Sequence, residues 1–452
     1  MNRRNFIQSI VGGTAAAALG TPLFRAFAGP EIASDEYFIF IHAQGAWDIT
    51  VGLDPRNERV GLIEPGSTNT IDIAPLKKWV SRTTPLDGST AASGYSFELV
   101  TPPSGPLTFG PAIGDLLRHY ARLTVVNGIA MNTVSHQDGT AFSATGRHLA
   151  GTKTSGPSID TMMANSFGLG QLLPAVSINY PSSFIGQGLD RRAVPLTISG
   201  VGTLAASLKL SALYESLGAR DGVTALLSQE ALDLANMSAN PDVMTGMHLQ
   251  YEGLRRMNRE NLVDLFTDTY LRSKYTNFAY STMSASVNAA FALESLTRNA
   301  ARCISFAYGS FDTHFTNYRQ QPLLQQNLFD LLAIMLDYLD VIPHPTRPSA
   351  KLADHTHILV VSDFCRTPNI NAALGRDHYP NNSALIISPK FRGNTRFGAS
   401  DPEQLLSLPA KTFSDGLRPV TPADVLATFV SAMKADPRKY LRDGEVITEI
   451  LR

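Results

Sequence analysis

Cysteine is nearly absent from this chain: Cys303 and Cys365 are the only two in 452 residues. Two thiols cannot build a disulfide framework. A single bridge between them and a pair of buried free thiols both remain open. No charge sign dominates either, since 38 Lys and Arg face 39 Asp and Glu, a formal net charge of −1. That balance, with no clustered run of basic residues, excludes a polyanion-binding surface and leaves nucleic acid out as a partner. Beyond the first thirty residues no segment approaches the twenty uninterrupted apolar residues of a membrane span, so no stable anchor is expected and the mature chain should be soluble. Internal repeats and low-complexity tracts are also lacking. What is present is 44% hydrophobic and 17% charged residues, the profile of a globular protein with a sizeable core. The length suits one large domain, or one domain with a big insertion.

The amino terminus has its own logic. Arg3 and Arg4 precede Asn5, Phe6 and Ile7, an apolar Ala/Gly-rich stretch runs from Ile10 to Phe24, and Ala26-Phe27-Ala28 closes it. Paired Arg, apolar run and small-x-small site in that order read as a twin-arginine signal peptide, cleaved before Gly29. The run is too short and too weakly apolar to be retained as a span. Residues 1–28 are therefore expected to be a leader, and 29–452 a protein that folds before export to the periplasm or beyond, with the twin-arginine machinery as a partner.

Along the mature chain, buried strands are predicted at 36–42, 123–129, 173–179, 193–198, 301–308, 357–361 and 384–387. Helices are predicted within 135–149 (ending near Gly151), over 318–341, and over 422–433 behind a Thr421 N-cap with Pro422 at its first position. Residues 54–112, rich in Pro, Gly, Ser and Thr, read as a long loop with short strands. Between about 202 and 300 helical spacing replaces strand signals, suggesting a mostly helical insertion or cap. Strands alternating with helices predict an α/β fold with a mostly parallel central sheet covered on both faces.

In such folds functional residues gather just past the carboxyl ends of strands. Four places fit. Asp48 follows strand 36–42 after a Gly45 turn, although a lone Asp there is also a common turn residue. Thr133-Val134-Ser135-His136-Gln137-Asp138 follows strand 123–129. It puts Ser135 at a helix N-terminus, where backbone N–H groups favour an anion and an activated hydroxyl. A plain Ser N-cap with an exposed His136 is the alternative. Asp312 and His314, two apart on a short turn after strand 301–308, can reach one cation, and carboxylate with imidazole suits Zn, Mn or Fe better than Ca. The densest group is Ser362-Asp363-Phe364-Cys365-Arg366, with Gly375-Arg376-Asp377-His378 following. Arg366 and Arg376 could hold a tetrahedral oxyanion, or could form buried ion pairs with these Asp residues. Convergence of four such strand ends favours a metal-dependent site in one crevice, with Asp377–His378 adding a further pair of candidate ligands.

At these motifs the chain resembles the DUF1501 family of exported bacterial proteins, within the alkaline-phosphatase/sulfatase-like superfamily. RRNFI, GAWD, YGSFDTH and SDFCRTPNINAALGRDHYP carry the resemblance, which spans nearly the whole chain. The family pattern reads GGWDTH and SEFGRTP followed by GRDH; here Ser310-Phe311 replaces Gly-Trp, Asp363 replaces Glu and Cys365 replaces Gly. The resemblance implies an alkaline-phosphatase-like three-layer α/β/α sandwich with one or two divalent ions at the strand ends, of Zn, Mn, Mg or Ca type. It implies Asp48 as the first-strand metal carboxylate, Asp312 and His314 as one metal pair, and Asp363 and His378 as ligands of the other. Phe364 stands where the superfamily usually places a His. Ser135 is similar in place to the nucleophile, with Thr133 and Thr140 as alternatives, and Thr145-Gly146-Arg147 resembles the close of the sulfatase nucleophile helix. No C-x-P-S-R sequence is present, which disfavours a formylglycine sulfatase. The expectation is a hydrolase of phosphate or sulfate esters, on small-molecule or glycan substrates. The alternative is a non-catalytic exported protein that keeps the fold for binding or surface assembly.

Overall fold

The computed structural model describes residues 35–56, 99–202, 262–280 and 284–452. The leader, most of the Pro/Gly-rich loop (57–98) and much of the helical block (203–261) lie outside the described residues.

The run YFIFIHA at Tyr37–Ala43 has no polar alternation, and every residue in it is buried. A strand with apolar side chains on both faces needs cover on both faces, which places it inside a sheet. This strand, β1, is joined by β2 (Leu123–Ala130), β3 (Leu173–Ile178), β4 (Leu196–Ile198), β5 (Ala301–Tyr308), β6 (Thr356–Ser362), β7 (Asn381–Ile387) and β8 (Thr395–Phe397). Their order across the sheet is β8-β2-β7-β6-β1-β5-β3-β4. β1 pairs in parallel with β5 (Ile39 beside Ile304) and with β6 (Ile39 beside Ile358). β7 alone runs against its neighbours β2 and β6. The protein is thus a mixed α/β structure on a large, mostly parallel central sheet.

The helices with labels here are α1 (His136–Thr145), α2 (Ile159–Met163), α3 (Ser284–Thr297), α4 (Asn317–Val341) and α5 (Pro422–Ala432). Tyr37, Ile39 and Ile41 pack on one side with Phe291 of α3, Phe329 and Met335 of α4, and Ile113 and Leu116 of the 3₁₀ helix Pro111–Arg122. Phe38 and Phe40 pack on the other with Phe142 of α1, Met162 of α2 and Phe429 of α5. Thr421 caps α5 as expected from the sequence, and Asp424 bonds back to its backbone N–H to complete a reciprocal box. The helix predicted to end near Gly151 stops earlier, because Gly146 caps α1. In the helical block, α3 is buried against the sheet as part of its layer. Cys303 and Cys365 are both buried and free, so no bridge forms.

At the amino edge of the sheet, Glu36 accepts from His357 at 2.7 Å and pairs with Lys390 at 3.0 Å. Burial opposes its ionisation, but the hydrogen bond from His357 and the Lys390 ammonium outweigh that and pull the carboxyl from about 4.5 down to about 2. Burial also lowers His357, which leaves Lys390 as the charged partner at neutral pH. A carboxyl depressed in this way adds stability above its unfolded pKa and loses it as pH falls through the folded value. Glu36→Gln should cost about 1–2 kcal/mol at pH 7. The gap between variant and wild-type melting temperatures should hold down to about pH 5 and narrow from there toward about pH 2; a gap independent of pH would rule out this ion pair as the cause.

No helix among the described residues is long and apolar enough to cross a membrane.

Candidate functional site

Because β1, β2, β5 and β6 run the same way, the segments after their carboxyl ends open on one edge of the sheet. Those segments carry Asp48, Ser135–His136, Asp312–His314 and Asp363. β7 runs the other way, so its beginning lies at the same edge and delivers His378. A two-residue ribbon fixes that approach, with His378 opposite Arg366 and Tyr379 opposite Cys365.

At this edge His136, Asp312 and His378 bring ligand atoms within 4.8 Å of one another. His136 Nε2 stands 3.5 Å from Asp312 Oδ1, and His378 Nε2 stands 3.6 Å from the same oxygen. His314 joins them, its Nε2 lying 3.1 Å from Asp312 Oδ1 and 2.9 Å from His378 Nε2. Phe364, fully buried, forms the floor: its ring stacks on His136 at 4.9 Å and tilts against His378 at 4.8 Å.

The residues behind this group are tightly held. Asp363 is fully buried; its Oδ1 accepts from the N–H groups of Gly45 (3.0 Å) and Ala46 (2.7 Å) and from the Ser362 hydroxyl, while Oδ2 bonds His136 Nδ1. Burial alone would raise its pKa, but the His136 bond and neighbouring imidazoles hold it below the usual carboxylate range. Burial likewise opposes a charged His136, and the Asp363 bond overrides it and raises His136. Burial and the adjoining cationic groups lower His378. Asp312 is partly exposed; against the cost of desolvation, the bond from Arg366 keeps it low.

Each residue singled out in the sequence has a definite place. His136, Asp312, His314 and His378 meet. Asp363 stands directly behind His136, and Asp377 behind His314, at 2.8 Å from its Nδ1. Asp48 is fully buried away from the group, where it caps the turn Ile49–Val51 and bonds Thr50 Oγ1 (2.6 Å) and Asn317 Nδ2 (2.7 Å). Arg366 is fully buried and donates to the carbonyls of Gly45, Ala46, Phe311 and Arg376 and to Asp312 Oδ1 at 2.8 Å. Arg376, also fully buried, pairs with Asp48 at 3.4 Å and bonds the Tyr318 hydroxyl, whose ring lies beneath it. Both guanidinium groups are thus engaged by protein partners, in line with the buried-ion-pair alternative. Ser135 is exposed at the N-cap of α1, its side chain making no cap bond. Sequence reasoning missed the carbonyl of Val134, which accepts from His378 Nδ1 at 2.8 Å; a backbone acceptor leaves no mark in a residue pattern.

One observation tests whether a cation suits this place. His136 Nε2 is buried, points at Asp312, and takes no hydrogen bond among the described residues. A buried, orphaned imidazole nitrogen beside a carboxylate and two further imidazoles fits a metal ion.

Residues 65–445 match the family model described as a protein of unknown function, DUF1501. The chain belongs to this family. The match includes His136, Asp312, His314, Asp363 and His378, whereas Asp48 precedes it. No curated protein matches the chain. Among solved structures, it is similar to Ps i-CgsB in complex with k-i-k-neocarrahexaose, at 10% identity over 91% of this chain and 74% of that one, with a TM-score of 0.37. A likeness that low carries no argument about fold detail or activity.

Proposed function

We propose that this DUF1501 member is an exported, metal-dependent hydrolase of phosphate or sulfate esters on an alkaline-phosphatase-like α/β/α fold. The meeting of His136, Asp312 and His378 at the carboxyl edge of the sheet supports this reading most directly. His136 is the first residue of α1, so the free N–H groups at that helix start open beside the same group. A divalent ion bound there would supply a Lewis acid that polarises the ester oxygen. Ser135, exposed at the helix start, is the proposed nucleophile, and the α1 N-terminus receives the charge that develops on the transferred group. Arg366 acts by holding Asp312, and Arg376 by holding the Asp48 turn. The paired arginines of the leader assign export to the twin-arginine route, which carries folded proteins.

With aryl phosphate and aryl sulfate esters as probes, Ser135→Ala should lower kcat on the order of 10³-fold or more while metal content stays unchanged. Undiminished turnover in that variant would remove Ser135 from the chemistry. A second reading draws on the engagement of both guanidinium groups by protein partners, which leaves neither to hold an oxyanion. On that reading the protein is a non-catalytic exported binder or assembly component, and stoichiometric metal without turnover of any ester would favour it.

A further inference from the structure

We infer that the site takes a single ion of the nitrogen-preferring transition series through four protein atoms: Nε2 of His136, His314 and His378, and Oδ1 of Asp312. His314 is then a ligand beyond the three-residue group, while Asp48, Asp363 and Asp377 stay outside the coordination sphere. The inference rests on the metal-dependent reading of this site and is independent of ester hydrolysis.

The hydrogen bonds behind the imidazoles carry the argument. His378 Nδ1 faces the carbonyl of Val134, which can only accept, so the ring proton of the neutral imidazole sits on Nδ1. His314 Nδ1 faces the Asp377 carboxylate at 2.8 Å, and His136 Nδ1 faces Asp363. In all three rings Nδ1 is engaged by an outer acceptor and Nε2 turns inward, the arrangement in which outer acceptors fix metal-ligating histidines. Each of the three Nε2 atoms lies within 3.6 Å of Asp312 Oδ1. His314 Nε2 and His378 Nε2 stand 2.9 Å apart, where two lone pairs repel unless a cation or proton lies between them.

The spacing fits a small ion. Bonds of about 2.0–2.1 Å arranged tetrahedrally set ligand atoms about 3.3 Å apart. Four of the six separations are 2.9 Å (His314–His378), 3.1 Å (His314–Asp312), 3.5 Å (His136–Asp312) and 3.6 Å (His378–Asp312), on either side of that value. His136 and His314 are the wider pair, outside the 4.8 Å that unites His136, Asp312 and His378, so one of these rings has to swing inward when the ion binds. The donor set also selects the element: three imidazoles suit Zn, Co, Ni, Cu or Fe, whereas Mg and Ca need oxygen ligands and find one.

The two buried carboxylates nearest the group are not open to a second ion. Asp48, fully buried, spends its oxygens on Thr50, Asn317 and Arg376. Asp363 spends both of its own on Gly45, Ala46, Ser362 and His136. The Arg366 guanidinium, 2.8 Å from Asp312 Oδ1, repels a second cation there.

The test is metal titration of the chelator-treated, processed protein by calorimetry and elemental analysis. Co²⁺ serves as an absorbing probe, and Mg²⁺ and Ca²⁺ as competitors. One equivalent of Zn²⁺ or Co²⁺ is expected, with a visible Co²⁺ spectrum of low-coordinate nitrogen-rich type and no displacement by millimolar Mg²⁺ or Ca²⁺. His314→Ala and the bulkier His314→Gln should each weaken binding on the order of 100-fold or more, with circular dichroism unchanged. Asp377→Asn, which keeps an acceptor for His314 Nδ1, should restore most of the affinity relative to Asp377→Ala. Two equivalents, effective competition by Mg²⁺, no binding at all, or wild-type affinity in both His314 variants would overturn the inference. One tight ion without ester turnover would uphold it and refute the hydrolase, whereas turnover dependent on two ions would do the reverse.

Discussion

Arg366→Met should lower the melting temperature by about 4–6 °C, equivalent to roughly 3–5 kcal/mol for removing one partner of a buried charged network in a protein of this size. The guanidinium is fully buried and ties four carbonyl groups, from Gly45, Ala46, Phe311 and Arg376, to the Asp312 carboxylate. A methionine fills much of the volume but leaves the carbonyls of Gly45 and Arg376 without this donor, and those of Ala46 and Phe311 with Gln321 Nε2 alone, and buried acceptors without partners are costly. Lysine should rescue little, since one ammonium cannot span the fan of acceptors that a planar guanidinium reaches. Metal affinity should fall with stability, because Asp312 loses the group that aims it. Differential scanning calorimetry with and without Zn²⁺ separates the effects. A methionine variant that melts within 1 °C of wild type would show that the acceptors find other donors.

Gly375→Ala should be nearly as damaging, for a steric reason. A Cβ built at Gly375 would lie 1.9 Å from the carbonyl oxygen of His314, 2.0 Å from its carbon and 2.4 Å from the nitrogen of Phe315. All three are backbone atoms, so relief requires the segment carrying His378 to move off the segment carrying His314. The expected cost is about 2–4 kcal/mol with a tenfold or greater loss of metal affinity. Gly202→Ala is the control, since nothing among the described residues lies within 4 Å of its added Cβ. If Gly375→Ala binds Zn²⁺ as wild type does, the two segments are not braced against each other.

Much of the architecture could be read in the residues. Apolar runs such as YFIFIHA and LTVVNGIA have no solvent face, and both are interior strands. Thr421-Pro422 announced the start of α5 because the cap and the fixed φ of proline act locally. The set of residues at the site was legible for a similar reason: polar groups directly after buried strands have no packing role that explains them. What each of them does was not legible. Asp363 and His136 are bonded across 227 residues, and no local pattern says that Asp363 would be buried behind the imidazole rather than beside it. Arg366 and Arg376 were open to two readings because a sequence does not show which carbonyl groups will crowd around a guanidinium. Asp48 is equally ambiguous, as a strand-end carboxylate can cap a turn or bind a ligand, and here it caps the turn Ile49–Val51.

The reversed direction of β7 has a consequence for the order in which the protein becomes competent. The strand brings His378 back to the edge where the others end, and its bond to Val134 closes a loop of 244 residues. During synthesis, α1 and the β5 turn emerge well before that histidine does, and the nascent polypeptide holds an incomplete set of donors. If the site takes the proposed ion, its acquisition is a late event, possible only once the segment through β7 has left the ribosome and docked. If the chain is exported already folded, as proposed, the ion it carries is selected by the metal pools of the compartment where it was made, not by those where it works.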